Sequence, residues 1–321
     1  MDLESLAAAT RAFQESRVIL TGVELDVFTA LGDGMDARQA AARMGADPRA
    51  AEMLLNALVA CGLLTKHAGI FRNTAVAAEH LAGPARMAWV HTVHLWSSWS
   101  TLTDAVRKGT AVVDARGGPR DEWTEPFIAA MHRNALERAP QVVQAVGAEH
   151  ARRLLDVGGG SGAYAIAFAE AMPELQADVL DLEPVTRIAQ RHIAKAQLTG
   201  RVHTRVGDLR QGLLGENYDL VFVSAICHML SEEENRDLIR RCGAACAAGG
   251  RVVIQDFILE PDKTAPKQAA LFALNMLVGT AGGSSYSAPE YEEWMRAAGL
   301  ANVQRVTLPG PAQLMIGTAA S

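Results

Sequence analysis

The chain has 321 residues, 49% of them hydrophobic and 21% charged, enough for two domains that each bury a core. Thirty basic residues against 36 acidic ones leave a net charge of −6, which argues against a general binder of nucleic acid or anionic membrane. Four cysteines are too few for a disulfide framework. The opening Met1-Asp2-Leu3-Glu4 is acidic, and no apolar run reaches bilayer length, so a soluble cytoplasmic protein is expected.

Residues 1–150 are rich in alanine and have helical periodicity. Helices are expected around 3–17 and 18–31, then from an Asp36 cap to Met44, and from Asp47-Pro48 to about Cys61. Gly62-Leu63-Leu64-Thr65 and Ile70-Phe71-Arg72 read as a hairpin turning at Ala68-Gly69. Two short helices and a two-stranded wing form a winged-helix pattern, for which DNA binding is the obvious reading. The charges oppose it: residues 15–82 carry six basic and eight acidic side chains. The presumed recognition helix has only Arg49 against Glu52, and otherwise offers Met53, Leu54, Leu55, Leu58 and Val59. A groove-reading helix needs exposed basic and amide groups, so packing or dimerisation is the expected role.

Trp89, Trp96 and Trp99 follow, with His91 and His94 three residues apart. No carboxylate or cysteine completes a metal site there, and an aromatic helix face is the simpler reading. Residues 110–122, with Gly117-Gly118-Pro119, read as a loop. Helix resumes from Pro126 to about Val146, with Phe127 and Met131 one turn apart.

From residue 151 the pattern changes to short β-branched runs alternating with amphipathic helices, the mark of a parallel sheet with crossover helices. A strand at Arg153-Leu154-Leu155-Asp156-Val157 runs into Gly158-Gly159-Gly160-Ser161-Gly162 and then a helix, Tyr164–Met172. Gly158-x-Gly160-x-x-Ala163 also fits a dinucleotide-binding turn, but Asp156 would repel a pyrophosphate and suits a cationic amino acid head. A strand at Ala177–Asp181 ends 25 residues after Asp156 in a carboxylate able to accept both hydrogens of a ribose diol. Val202–Val206 leads to Asp208-Leu209, and Asp219–Val223 to Ser224 and His228. A helix at 232–247 precedes Gly249-Gly250 and a strand at Arg251–Gln255 ending in Asp256. Five strands thus deliver a polar residue to the carboxyl edge, where open α/β sheets bind ligands, and together they point to an adenosine-containing ligand. Asp208 alone reads equally well as a turn former. An antiparallel pair, Val303–Leu308 and Leu314–Thr318, closes the chain.

Cys242 and Cys246, four apart on a helix, read as buried small residues rather than metal ligands. Cys227 beside His228 invites a nucleophile–base reading. Neighbours on an extended strand point to opposite faces, which opposes it.

Leu155–Gly162, Asp181-Leu182-Glu183-Pro184-Val185, Gly249–Ile254, Gly282-Gly283 and Trp99-x-x-Leu102-x-x-Ala105-Val106-x-x-Gly109 together resemble one family over nearly the whole chain. It is that of the S-adenosylmethionine-dependent O-methyltransferases, which include caffeate, isoflavone and acetylserotonin methyltransferases and bacterial antibiotic-pathway relatives. The resemblance implies a winged-helix dimerisation domain over residues 1–100 and a doubly wound, Rossmann-like α/β domain over 101–321. The latter ends in the antiparallel hairpin usual for these enzymes, and its residues 101–150 cover the acceptor pocket. It implies S-adenosylmethionine as cofactor, bound through Asp156, Gly158, Gly160, Asp181, Leu182, Asp208, Leu209 and Ser224: Gly158 touches the methionine part, Asp181 holds the ribose, Asp208 and Leu209 flank the adenine, and Ser224 stands where the family often has a lysine near the cofactor. Phe127, Met131, Met276 and Tyr286 match acceptor-pocket positions. His228 falls on the general base, with Asp256 as its orienter. No metal is needed, and the partners implied are a small-molecule acceptor and a second copy of the chain. An imidazole with its ordinary pKa near ~6.5 accepts a phenol proton at neutral pH.

Two departures matter. Met229-Leu230 replace the Asp-Trp of plant members, and Ser285 stands where those members carry a second acid. Alternatives therefore stay open: transfer to nitrogen or carbon, or a non-methylating relative of hydroxylase or cyclisation type. A nicotinamide oxidoreductase, opposed by Asp156, and a DNA-binding regulator, opposed by the charge count, are the remaining rivals.

Overall fold

The first of two units, Met1–Ser97, begins with helices α1 (Leu3–Arg11), α2 (Phe13–Glu24) and α3 (Val27–Leu31) in a computed structural model that describes residues 1–112 and 121–320. The two helices expected here are three. The second break falls at Leu25-Asp26, where Asp26 takes φ +54°, a left-handed conformation that a helix cannot continue through. α4 (Ala37–Met44) opens on a reciprocal capping box between Asp36 and Gln39, and α5 (Pro48–Ala60) on Asp47, which accepts from Ala50 N. Strands β1 (Leu64–His67) and β2 (Ile70–Asn73) form the wing, followed by α6 (Ala75–His80) and α7 (Met87–Trp99). Val27, Phe28, Leu31, Leu55, Leu58 and Phe71 fill the core. The α5 face expected to be buried is so at Leu55 and Leu58, while Met53 is 59% exposed. Lys66 of the wing reaches back to Glu52 and Asn56 of α5, at 3.2 and 2.9 Å. The wing's cation thus neutralises the one carboxylate of α5.

The division between units falls inside α7. Its last residue, Trp99, donates Nε1–H to Asn275 Oδ1 at 2.8 Å in the second unit, Ser98–Ser321. There α8 (Leu102–Lys108) is followed by α9 (Asp121–Val146), which starts ahead of Pro126. Most of the loop expected over 110–122 lies outside the described residues. Then come β3 (Arg153–Val157), α10 (Ala163–Ala171), β4 (Gln176–Asp181), α11 (Glu183–Lys195), β5 (Val202–Val206) and β6 (Tyr218–Ser224). The chain continues through α12 (Glu232–Ala245), β7 (Cys246–Asp256), α13 (Lys267–Gly279), α14 (Ala288–Ala297), β8 (Leu300–Val306) and β9 (Gln313–Ala319).

These seven strands form one sheet in the order β5-β4-β3-β6-β7-β9-β8. The first five are parallel; β9 runs antiparallel to β7 and to β8. Alternate side chains of the central strands enter different cores: Leu154, Phe222 and Val253 on one face, Leu155, Val221 and Val252 on the other. Helices cover both faces, which is why these strands read as unbroken apolar runs. The strand order reverses at β3, with β4 on one side and β6 on the other. That reversal opens a crevice at the carboxyl edge. Gly249-Gly250 does not precede β7 but sits inside it, where the pairing jumps from Tyr218↔Cys246 to Leu220↔Arg251. β8 lies earlier than expected and carries its own irregularity between Ala301 and Gln304. Among the described residues no helix is long and apolar enough to cross a membrane.

Candidate active site

At the end of β3, Gly158, Gly160 and Gly162 take φ of +67°, +58° and +75°. A Cβ on Gly158 would run into Ile226 Cδ1, and one on Gly159 would lie 2.7 Å from Asp156 Cγ. Only glycine makes this turn. Gly160 N donates to Asp181 Oδ2 and Leu182 N to Asp181 Oδ1, both at 2.8 Å. Asp181 therefore ties the end of β4 to the turn, and each oxygen keeps acceptor capacity for a further donor. Burial raises its pKa, opposed by these two N–H groups. Leu182 beside it is 46% exposed.

Asp156 is placed differently from the sequence reading. It is 1% exposed, and among the described residues neither carboxylate oxygen has a partner in full hydrogen-bond geometry, the Ala165 N–H only facing it. Burial, and next the Asp181 charge, push its pKa up to about 7, while the Ala165 N–H at the start of α10 works the other way. The carboxyl group is packed against Gly159 of the turn.

This cradle fits S-adenosylmethionine: a turn that any side chain would close, a helix N-terminus with no side-chain cap behind it, and an acceptor carboxylate on the next strand. Farther along the edge, Asp208 Oδ1 accepts from Arg210 N at 2.9 Å, so Asp208 does form a turn. The Leu209 carbonyl is held by Arg241 Nη2 at 2.7 Å, and Arg241 is anchored in turn on Asp237 at 2.8 Å. Ser224 Oγ donates to Gln255 Oε1 at 3.1 Å across the β6–β7 pair.

Beyond Ser224 the backbone leaves the sheet at Ala225, whose φ is +56°, and makes a single 3₁₀ turn, Cys227–Met229. Cys227 and His228 are therefore not strand neighbours, as the sequence reading assumed. The nucleophile reading fails for another reason: Cys227 is fully buried, and burial followed by the Asp256 charge pushes its thiol far up. His228, 6% exposed, meets Asp256 twice. Its Nδ1 lies 2.7 Å from Asp256 Oδ1, and its backbone N–H donates to Oδ2 at 3.1 Å. A carboxylate only accepts, so Nδ1 carries the proton of the neutral ring and Nε2 keeps its lone pair.

Two aromatic residues that the sequence reading did not name complete this corner. Phe272 of α13 stands edge-on to the imidazole at 4.7 Å between centroids, and Phe257 stacks on Phe272 at 4.0 Å. The available signals were the position of Phe257 next to Asp256 and that of Phe272 one turn before Met276. Met276 itself is buried. Phe127 is 36% exposed on α9, with Met131 half-buried one turn on. Tyr286 is a correction. It is buried, its hydroxyl donates to Leu230 O at 2.6 Å, and it packs edge-on to Trp294, so it braces the segment after His228 rather than lining a pocket. Asn235 of α12 helps, donating to Cys227 O at 2.9 Å. Ser285 is buried, and among the described residues its hydroxyl has no hydrogen-bond partner. Among the described residues no cluster of three or more His, Cys, Asp or Glu is placed to hold a metal.

Residues 99–301 match the family model of the O-methyltransferase domain, and residues 8–83 match that of the O-methyltransferase dimerisation domain. The chain is 34% identical over 308 residues to the 3-hydroxy-5-methyl-1-naphthoate 3-O-methyltransferase of Streptomyces sahachiroi, covering 92% of this chain and 89% of that protein. It is 30% identical over 323 residues to the tetracenomycin polyketide synthesis 8-O-methyltransferase of Streptomyces glaucescens, covering 96% and 94%. Among solved structures, PigF with S-adenosylhomocysteine is similar at a TM-score of 0.89 and 26% identity, over 99% of this chain and 100% of that one. The chain belongs to the O-methyltransferase family and is an S-adenosylmethionine-dependent enzyme.

Proposed function

We propose that the enzyme methylates a hydroxyl group on a small, largely apolar aromatic acceptor, with His228 as general base and Asp256 as its orienter. The observation that carries this reading is the 2.7 Å pairing of His228 Nδ1 with a buried carboxylate, which leaves Nε2 as the proton acceptor. S-adenosylmethionine supplies, when bound, an electrophilic methyl group on a sulfonium. Gly158 holds its methionine part with Gly160 beside it, Asp181 holds its ribose with Leu182 beside it, Asp208 and Leu209 flank its adenine, and Ser224 lies near it. His228 Nε2 takes the hydroxyl proton, and the Asp256 carboxylate stabilises the imidazolium that forms. The Phe257–Phe272 pair gives a flat acceptor ring a stacking surface beside the base and keeps water from it. Phe127 and Met131 of α9 contribute further apolar surface. The named activities of the Streptomyces relatives, on a hydroxynaphthoate and in tetracenomycin polyketide synthesis, support an aromatic acceptor. Ser285 favours a second reading, transfer to nitrogen or carbon, because the base has one carboxylate partner rather than two. The dimerisation-domain match supports a homodimer, and the four free cysteines agree with a reducing, cytoplasmic setting.

Replacing the base tests the reading directly. His228→Ala is expected to lower kcat by about 10²–10⁴-fold with cofactor affinity nearly unchanged. Equal losses in turnover and in S-adenosylhomocysteine affinity, measured by calorimetry, would remove His228 from the base role. Asp181→Ala is expected to weaken cofactor binding by about 1–3 kcal/mol; unchanged affinity would reject its ribose contact. Asp156 carries a sign that is easy to check. A carboxyl whose folded pKa of about 7 lies above its ordinary 3.8 disfavours folding increasingly as pH rises between those values. Asp156→Asn should therefore raise the melting temperature of the cofactor-free protein at pH 8, with the gain shrinking toward pH 4. A gain independent of pH would contradict the placement of a buried, unpaired charge.

A further inference from the structure

Above the glycine turn lies a second constellation, on α9. Ile128 Cδ1 lies 3.8 Å from where a Cβ on Gly160 would be, and Ile128 packs with Val185 and Ile188 of α11. One helical turn on, His132 Nδ1 lies 2.9 Å from the hydroxyl of Ser161, a buried residue of the turn itself. The other side of the His132 ring lies against the His192 ring of α11, with centroids 3.9 Å apart. Glu125 of α9 pairs with Arg191 of α11 at 2.6 Å. The stripe Ile128/His132 thus seals the turn. The adjoining positions Phe127 and Met131, each one residue earlier, carry the acceptor-side candidates.

Both rings resist protonation. Burial first, then the neighbouring His192 and Lys195 charges, lower His132 from 6.5 to about 4. Burial, Arg191 and Lys195 lower His192 as well. The groups facing the pair are thus Lys195 and Arg191 from α11, Glu125 from α9 on the far side of Arg191, and the uncharged Ser161 from the turn.

We propose that His132 is a positioning residue that locks α9 onto the cofactor turn through Ser161, so that filling the cofactor site also orders the acceptor side of α9. The proposal rests on the methyltransferase reading of the turn. It adds a coupling between the two binding sites that neither site shows alone.

Amide hydrogen exchange over residues 127–135, with and without S-adenosylhomocysteine, tests it in the wild type and in two variants. His132→Phe keeps the ring contact with His192 and loses the hydrogen bond; Ser161→Ala removes the partner. The ligand is expected to raise wild-type protection of this segment by about tenfold, and each variant is expected to lose most of that gain while calorimetry still detects ligand binding. The wild-type segment should also lose protection as pH falls from 6.5 toward 4, because the open state takes up the proton that the buried His132 ring refuses, and His132→Phe should not. With a slowly turned-over acceptor, both variants should raise KM more than they lower kcat. A full ligand-induced gain in both variants would overturn the coupling with the cofactor reading intact. Wild-type protein that binds no S-adenosylhomocysteine would overturn both.

Discussion

Asp256 receives three hydrogen bonds in a buried corner: Oδ1 takes His228 Nδ1–H at 2.7 Å and Phe257 N–H at 2.8 Å, and Oδ2 takes His228 N–H at 3.1 Å. A buried carboxylate is stable only when such donors replace its water. The arrangement therefore holds the imidazole, its tautomer and the backbone of the 3₁₀ turn in one geometry. It depends on the parallel pairing of β6 and β7, which sets Ser224 opposite Gln255 and brings Asp256 to the level where the chain leaves the sheet. Ala225 in its left-handed conformation, with N–H on Gln255 O at 2.9 Å, starts that exit. Asn235 and Tyr286 then hold the carbonyls of Cys227 and Leu230 at either end of the turn.

His228 and the glycine turn are joined through Ile226. Ile226, two positions before His228, lies against the Cα of Gly158, so any side chain there would displace both. This contact follows from topology. β3 and β6 are neighbours at the point where strand order reverses, and their carboxyl ends open into the same crevice. Asp181 closes the other side by bonding Gly160 N–H from β4. In-line methyl transfer needs the acceptor atom, the methyl carbon and sulfur in a row, so the proposed role of His228 requires that these two turns keep their spacing.

Much of this was legible in the sequence because it is encoded locally. Glycines at 158, 160 and 162 are needed where the backbone turns left-handed. β-branched runs of five or six residues mark strands buried on both faces, and the polar residue ending each run marks the ligand edge. The capping signals at Asp36 and Asp47 placed α4 and α5 within a residue. What escaped depends on contacts between distant segments. Nothing near Phe272 says that α13 brings its ring against His228. Tyr286 reads as a pocket aromatic until Leu230 is seen to take its hydroxyl. That the Asp156 carboxyl lies buried against Gly159 is not written in the strand that carries it. The 3₁₀ turn at Cys227 was hidden because apolar residues after a strand look like more strand. His132 and Ser161 lie 29 residues apart, and only the docking of α9 on α10 and α11 joins them.

The central claim is that the His228–Asp256 pair serves a hydroxyl on an aromatic ring. Mass spectrometry of products formed from deuteromethyl-labelled S-adenosylmethionine and matched hydroxy-, amino- and unsubstituted naphthalene and anthraquinone acceptors tests it most directly. Label on the oxygen of the hydroxy compounds, lost in His228→Ala, is the expected result. Label on nitrogen or ring carbon, or transfer to oxygen that persists in His228→Ala, would contradict it.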